Sequence, residues 1–234
     1  MEITPESSIF AVLAAGFIIG LYHAVEADHL AAVSAIVSEK KSILTSSLVG
    51  GLWGLGHTIS LFIVGALVIF LKLQISESLE GYLEAAVGAM LVLLGINALR
   101  KLFTAEKVHA HTHVHDGLEH QHLHVHPDKS ESPTHHNLSP RSVLVGMVHG
   151  LAGSAGLMLL VVPTIDSPLL AMLYIAVFGI GSIGGMMIMS MLMSVPIKFT
   201  ADRFNTMNMG IRIVAGVFSL GWGLKLMYEK LIVG

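Results

Sequence analysis

Two imidazoles and two carboxylates, His23, Glu26, Asp28 and His29, fall within seven residues of a stretch otherwise apolar enough to lie in a bilayer. An ionisable group that water cannot reach must be paired, protonated or bound to something. Two His with two carboxylates point to a cation. His57 and His149 are the other imidazoles that fall in apolar surroundings, each beside small residues. On a straight helix His23 and His29 would stand about 9 Å apart along the axis and about 120° apart around it. They could not chelate one ion from there. Either the helix unwinds between them, or one of them binds with a residue of the next helix, most plausibly His57, while the other serves an adjacent site or a proton path. Imidazole donors suit Ni, Co, Cu and Zn, whereas all-oxygen sets suit Mg and Ca. Asp28 and Glu26 would then orient ring N–H groups or offset the charge of the ion.

The rest of the chain must hold these groups in place. It has 234 residues, a mean hydropathy of +0.74, 53% hydrophobic residues and 12% charged ones, the last about half the share of a soluble domain. An integral membrane protein follows. The first apolar run continues past signal-peptide length, so the first span is expected to be retained. Cysteine is absent, which excludes disulfides, thiolate nucleophiles and thiolate metal sites. No nucleotide-binding motif is present, so no ATP hydrolysis is expected of this chain. No prosthetic group and no nucleic-acid partner are expected either.

Six apolar runs long enough to cross a hydrocarbon core lie at about 9–37, 43–72, 82–103, 141–163, 168–195 and 207–231. The first carries the polar cluster at its middle, so a tilt, kink or break is expected near His23 to His29. Lys and Arg concentrate after the first, third and fifth runs (Lys40, Lys41, Arg100, Lys101, Lys107, Lys129, Arg141, Lys198, Arg203). The positive-inside rule makes those connections cytoplasmic and both termini external. Glu77, Glu80 and Glu84 would face outside as a solvated acidic surface.

The two halves resemble each other. Gly20-Leu21-Tyr22-His23 matches Gly146-Met147-Val148-His149, and Trp53-Gly54-Leu55-Gly56-His57 matches Phe178-Gly179-Ile180-Gly181-Ser182. Gly88 and Gly95 match Gly216 and Gly223 at a similar offset of about 125 to 128 residues. Three helices per half is an odd number, so the second half would be inverted relative to the first, the plan of many secondary transporters. The fold class expected is all-α, a polytopic membrane protein of two inverted three-helix repeats, 1–103 and 141–234. The glycines of the second and fifth runs would let backbones approach closely and carry His57 toward His23 and His29.

Between the halves, residues 104–140 hold ten of the fourteen His. His109, His111, His113 and His115 alternate with other residues, as do His120, His122, His124 and His126, and His135 and His136 follow. Low complexity and the absence of apolar periodicity predict a disordered, cytoplasmic loop. Its imidazoles would capture several exchangeable divalent ions without selecting one. Met186, Met187, Met189, Met191 and Met193 cluster in the fifth run, and flexible apolar packing is the ordinary use of such a cluster.

His23-Ala24-Val25-Glu26-Ala27-Asp28-His29 resembles the His-x4-Asp-His signature of the nickel/cobalt transporter family. Gly56-His57-Thr58 is similar to that family's second motif, and His149-Gly150-Leu151-Ala152-Gly153-Ser154-Ala155 to one of its short, urease-accessory-like members. The resemblance implies that His23, Asp28, His29 and His57 handle the transported ion, Ni2+ or Co2+, with Glu26 and His149 beside them and Ser154 contributed by the second half. It implies a multi-pass carrier of the cytoplasmic membrane, driving uptake, with a transition-metal ion, the bilayer and cytoplasmic nickel chaperones as partners. Tyr22 stands where many relatives have Arg, and Glu26 where they have Asp. An efflux carrier fed by the His-rich loop is the rival within transport. An intramembrane metal-dependent hydrolase is the rival of another class, although no His-Glu-x-x-His helix is present. Monomer and dimer are equally compatible with the sequence.

Overall fold

The computed structural model describes residues 5–38, 42–73, 75–104, 109–115, 118–124, 140–152, 165, 167–201 and 203–233. The helices are α1 (Pro5–His23), α2 (Ala27–Val37), α3 (Ile43–Leu71), α4 (Glu77–Thr104), α5 (Pro140–Gly150), α6 (Pro168–Ala201) and α7 (Asn205–Tyr228), which closes in a π-helical turn (Glu229–Val233). Four of them are long and apolar enough to cross a bilayer, and α1 with α2 forms a fifth candidate span bent by 53° at the break between them. The fourth apolar run begins as α5, only 11 residues long. Residues 153–163 of that run, including Ser154, lie outside the described residues, and among the described residues there are four or five candidate spans.

The break falls where the polar cluster predicts it. Helix α1 stops at His23, backbone N–H groups of Val25 and Glu26 turn back onto the carbonyls of Tyr22 and His23, and Glu26 adopts an extended conformation (φ −64°, ψ 150°) before α2 begins. The Leu30 N–H then bonds the Glu26 carbonyl.

Two strands lie between the halves. The loop read as disordered carries two paired antiparallel strands, β1 (His109–His115) and β2 (Leu118–His124), with His109 opposite His124, His111 opposite His122 and His113 opposite His120. Strict alternation of residue types has the period of a strand. Residues 105–108, 116–117 and 125–139 of that segment, with His126, His135 and His136, lie outside the described residues.

The bundle exposes many large apolar side chains, and its closest helix contacts are made by glycines and hydroxylic residues, as packing in lipid favours. On α3 the buried face is Ser46, Gly50, Trp53, Gly54, Gly56, His57 and Ser60, while Leu55, Phe62 and Leu67 are exposed. Hydroxyls bridge helices: Ser60 donates to the Met147 carbonyl at 2.9 Å, Thr58 to the Gly179 carbonyl at 3.2 Å and Ser219 to the Leu91 carbonyl at 2.9 Å. Glycines set the closest approaches. A Cβ on Gly20 would strike the Phe178 carbonyl of α6, and one on Gly146 would strike the Trp53 carbonyl of α3. Gly56 meets the Val143 carbonyl as Gly181 meets the Phe17 carbonyl. On α4 and α7, Gly88 lies against the Gly223 carbonyl and Gly95 against the Gly216 carbonyl. Residues matched in sequence thus make matched contacts, α1 on α6 and α5 on α3. The methionines of α6 pack: Met186 is fully buried, Met189 and Met193 lie against the core, and Met191 is exposed.

Gly146→Leu is expected to lower the Tm of the detergent-solubilised protein by several degrees, the effect of about 1–3 kcal/mol of overpacking. Gly221→Leu, where a side chain meets nothing within 4 Å, should not lower it. Thermal unfolding of both variants checks this.

Candidate metal centre

The bend between α1 and α2 presents His23 and His29 to the middle of the bundle, α3 supplies His57, and the last turn of α5 supplies His149. All four rings are buried. Ring centroids lie 4.3 Å apart for His23 and His29, 4.2 Å for His29 and His149, and 5.3 Å from His57 to each of His23 and His29. The six-residue separation that a straight helix forbids is overcome by the break.

Two carboxylates hold the rings from behind. His23 Nδ1 pairs with Glu26 Oε1 at 2.7 Å. Asp28 takes a different role in that it bridges two rings, Oδ1 to His29 Nδ1 at 3.0 Å and Oδ2 to His149 Nε2 at 3.0 Å. Its Oδ1 also accepts the backbone N–H of His29 at 2.9 Å. An ionised carboxylate only accepts, so each of these ring nitrogens donates, and the opposite ring nitrogen keeps its lone pair. Those opposite atoms, His23 Nε2, His29 Nε2 and His149 Nδ1, are buried without a hydrogen-bond partner. Buried polar atoms are rarely left so. Carboxylates that fix the tautomer of an imidazole whose other nitrogen faces inward form the arrangement found behind metal-ligating His.

Donor atoms fall into two groups within 4.8 Å of one another: His23, His29 and His57, and Asp28, His29 and His149. His29 is common to both. The residues singled out by the sequence, His23, Glu26, Asp28, His29, His57 and His149, are therefore brought together. His109, His111, His113, His115, His120, His122 and His124 lie on the separate hairpin. Trp53 is the residue that sequence reasoning left as a repeat marker. Its ring stands 5.4 Å from His29 and 5.2 Å from His149 by centroids and walls the centre. A bulky aromatic set among glycines one turn before His57 was the available signal.

Residues 15–218 match the family described as cytochrome C biogenesis protein transmembrane region. The chain belongs to that family. It is also 36% identical over 222 residues, 94% of this chain and 92% of the relative, to Urease accessory protein UreH of Bacillus sp. (strain TB-90). That relationship agrees with the short, urease-accessory-like membrane proteins that the His-x4-Asp-His segment resembles. Chloroplast protein FOR GROWTH AND FERTILITY 1 of Arabidopsis thaliana is 27% identical over 172 residues, 72% of this chain and 45% of that protein. No solved structure matches.

Asp28→Ala leaves two buried ring N–H groups without an acceptor, at about 1–3 kcal/mol each. Glu26→Ala removes the single partner of His23 Nδ1, but Glu26 itself is 34% exposed, so water can take its place there. Thermal unfolding should show the larger loss for Asp28→Ala, and an equal or smaller loss would contradict the bridging role.

Proposed function

We propose that this protein is a secondary transporter that moves Ni2+ or Co2+ across the cytoplasmic membrane, in the direction of uptake. The observation that carries the reading is the set of buried imidazole nitrogens left without partners, His23 Nε2, His29 Nε2 and His149 Nδ1, in a cluster where donor atoms of His23, His29 and His57 lie within 4.8 Å of one another at the bend of a candidate membrane span. An enclosed nitrogen-rich donor set with carboxylates behind it suits Ni2+ and its neighbours better than Mg2+ or Ca2+. His23, His29 and His57 are the proposed ligands of the cargo, and Asp28 and Glu26 hold them. His149 is the counterpart of His23 from the second half.

Paired glycine contacts between α1 and α6 and between α5 and α3 support two inverted repeats of three spans each. Such repeats rock about a site near the midplane. The lysine and arginine distribution supports external termini and a cytoplasmic His-rich segment, which would collect ions and pass them to cytoplasmic nickel chaperones. The relative described as a urease accessory protein supports a nickel cargo. The matched descriptions, an accessory protein and a transmembrane region, fit a membrane protein that is not an enzyme.

Ni2+ flux into proteoliposomes of known orientation tests the reading. His29→Ala and His57→Ala should each lower flux at least tenfold, and deletion of 105–139 should preserve it. Absence of Ni2+, Co2+ and Zn2+ flux in both orientations with the intact chain would overturn the proposal.

A further inference from the structure

The four rings are sealed from solvent, yet a cation must reach them. A cavity of about 270 Å3 touches the centre from one side, and its walls include Glu26 and Asp28 at the bend, Glu84 and Val87 on α4, and Trp222 and Leu226 on α7. Two of its three carboxylates are those that hold the imidazoles, Glu26 on His23 and Asp28 on His29 and His149. The rings that these carboxylates hold carry the unpartnered His23 Nε2 and His29 Nε2. The third, Glu84, is 17% exposed and pairs with Lys230 Nζ at 2.8 Å across from the closing turn of the chain. Glu84 sits in the second turn of α4 and Lys230 just beyond α7. Glu84 and Lys230 lie at the end of the bundle where α4 begins and α7 ends, and the cavity reaches toward that face.

We infer that this cavity is the aqueous passage by which a divalent cation reaches the buried imidazoles, with Glu84 as its outer station and Lys230 as the counter-ion that the cation displaces. The inference rests on the reading of the centre as a cargo site. A charge leaving water needs compensating charge along its way, and a recess lined by one sign of charge raises the local concentration of the opposite sign. With the cavity empty, Lys230 satisfies Glu84. A divalent ion offers Glu84 twice the charge of an ammonium and can replace it. Sequence reading had left Glu84 on a solvated acidic surface, because its neighbours across the cavity, Glu26 and Asp28 on one side and Trp222 and Leu226 on the other, come from segments distant along the chain.

The chain has no cysteine, so single cysteines report on the cavity directly. Val87→Cys and Leu226→Cys stand in its wall, and Leu93→Cys, 68% exposed on the same helix as Val87, faces lipid. Cationic and anionic methanethiosulfonates of similar size are applied to proteoliposomes from the face on which α4 begins. The cavity cysteines should react with the cationic reagent at least tenfold faster than with the anionic one, and Leu93→Cys with neither. Adding Glu84→Gln should lower that ratio severalfold, and adding Lys230→Ala should raise it. In flux measurements Glu84→Gln should raise KM for Ni2+ severalfold while equilibrium Ni2+ binding to the centre is unchanged. Cavity cysteines that react no faster than Leu93→Cys, or without charge preference, overturn the passage. Labelling needs no transport, so failure of the cargo reading shows separately, as absent flux in the unmodified chain.

Discussion

Burying imidazoles and a carboxylate in the middle of a bilayer-spanning bundle is the constraint on which the rest of this structure depends. Asp28 meets it with both oxygens. One is given to the neighbour in sequence, His29, and the other to His149 from the far half of the chain. A single carboxylate thus ties the first half to the second at the point where polar groups are most expensive to leave unpaired. The break after His23 follows from the same demand. An unbroken helix would point Asp28 and the two imidazoles in different directions, and only an extended Glu26 allows all of them to converge.

The surrounding helices are arranged to permit that convergence. Gly20, Gly56, Gly146 and Gly181 bring α1 onto α6 and α5 onto α3 at backbone contact. The two His-bearing helix ends, His23 of α1 and His149 of α5, then reach the same central space. In lipid no hydrophobic force draws helices together, so close packing and interhelical hydroxyl bonds must do it. Ser60 supplies such a bond between α3 and α5, Thr58 between α3 and α6, and Ser219 between α7 and α4. Dense packing on three sides leaves the recess between the bend, α4 and α7 as the place where space and negative charge coincide.

The residue types and spacing of His23 to His29, together with His57 and His149, were sufficient to name the components of the centre. They were also sufficient to locate the break, since a polar cluster at mid-span has few other ways to be satisfied. Membrane character followed from hydropathy, and the glycine contacts from small residues recurring along single helix faces. In the His-rich segment composition argues for disorder, while the alternation of residues has the period of a strand.

What the sequence by itself determined is therefore local: which groups are present, how far apart they stand along the chain, and where a helix cannot continue. Tertiary structure alone decided that Asp28 serves His149 across 121 residues, that Trp53 walls the centre, and that Glu84 meets Lys230 over a cavity instead of bulk water. Each of those is a contact between helices distant in sequence. Helix period fixes the face on which a side chain stands, but the identity of the group opposite depends on how whole helices pack.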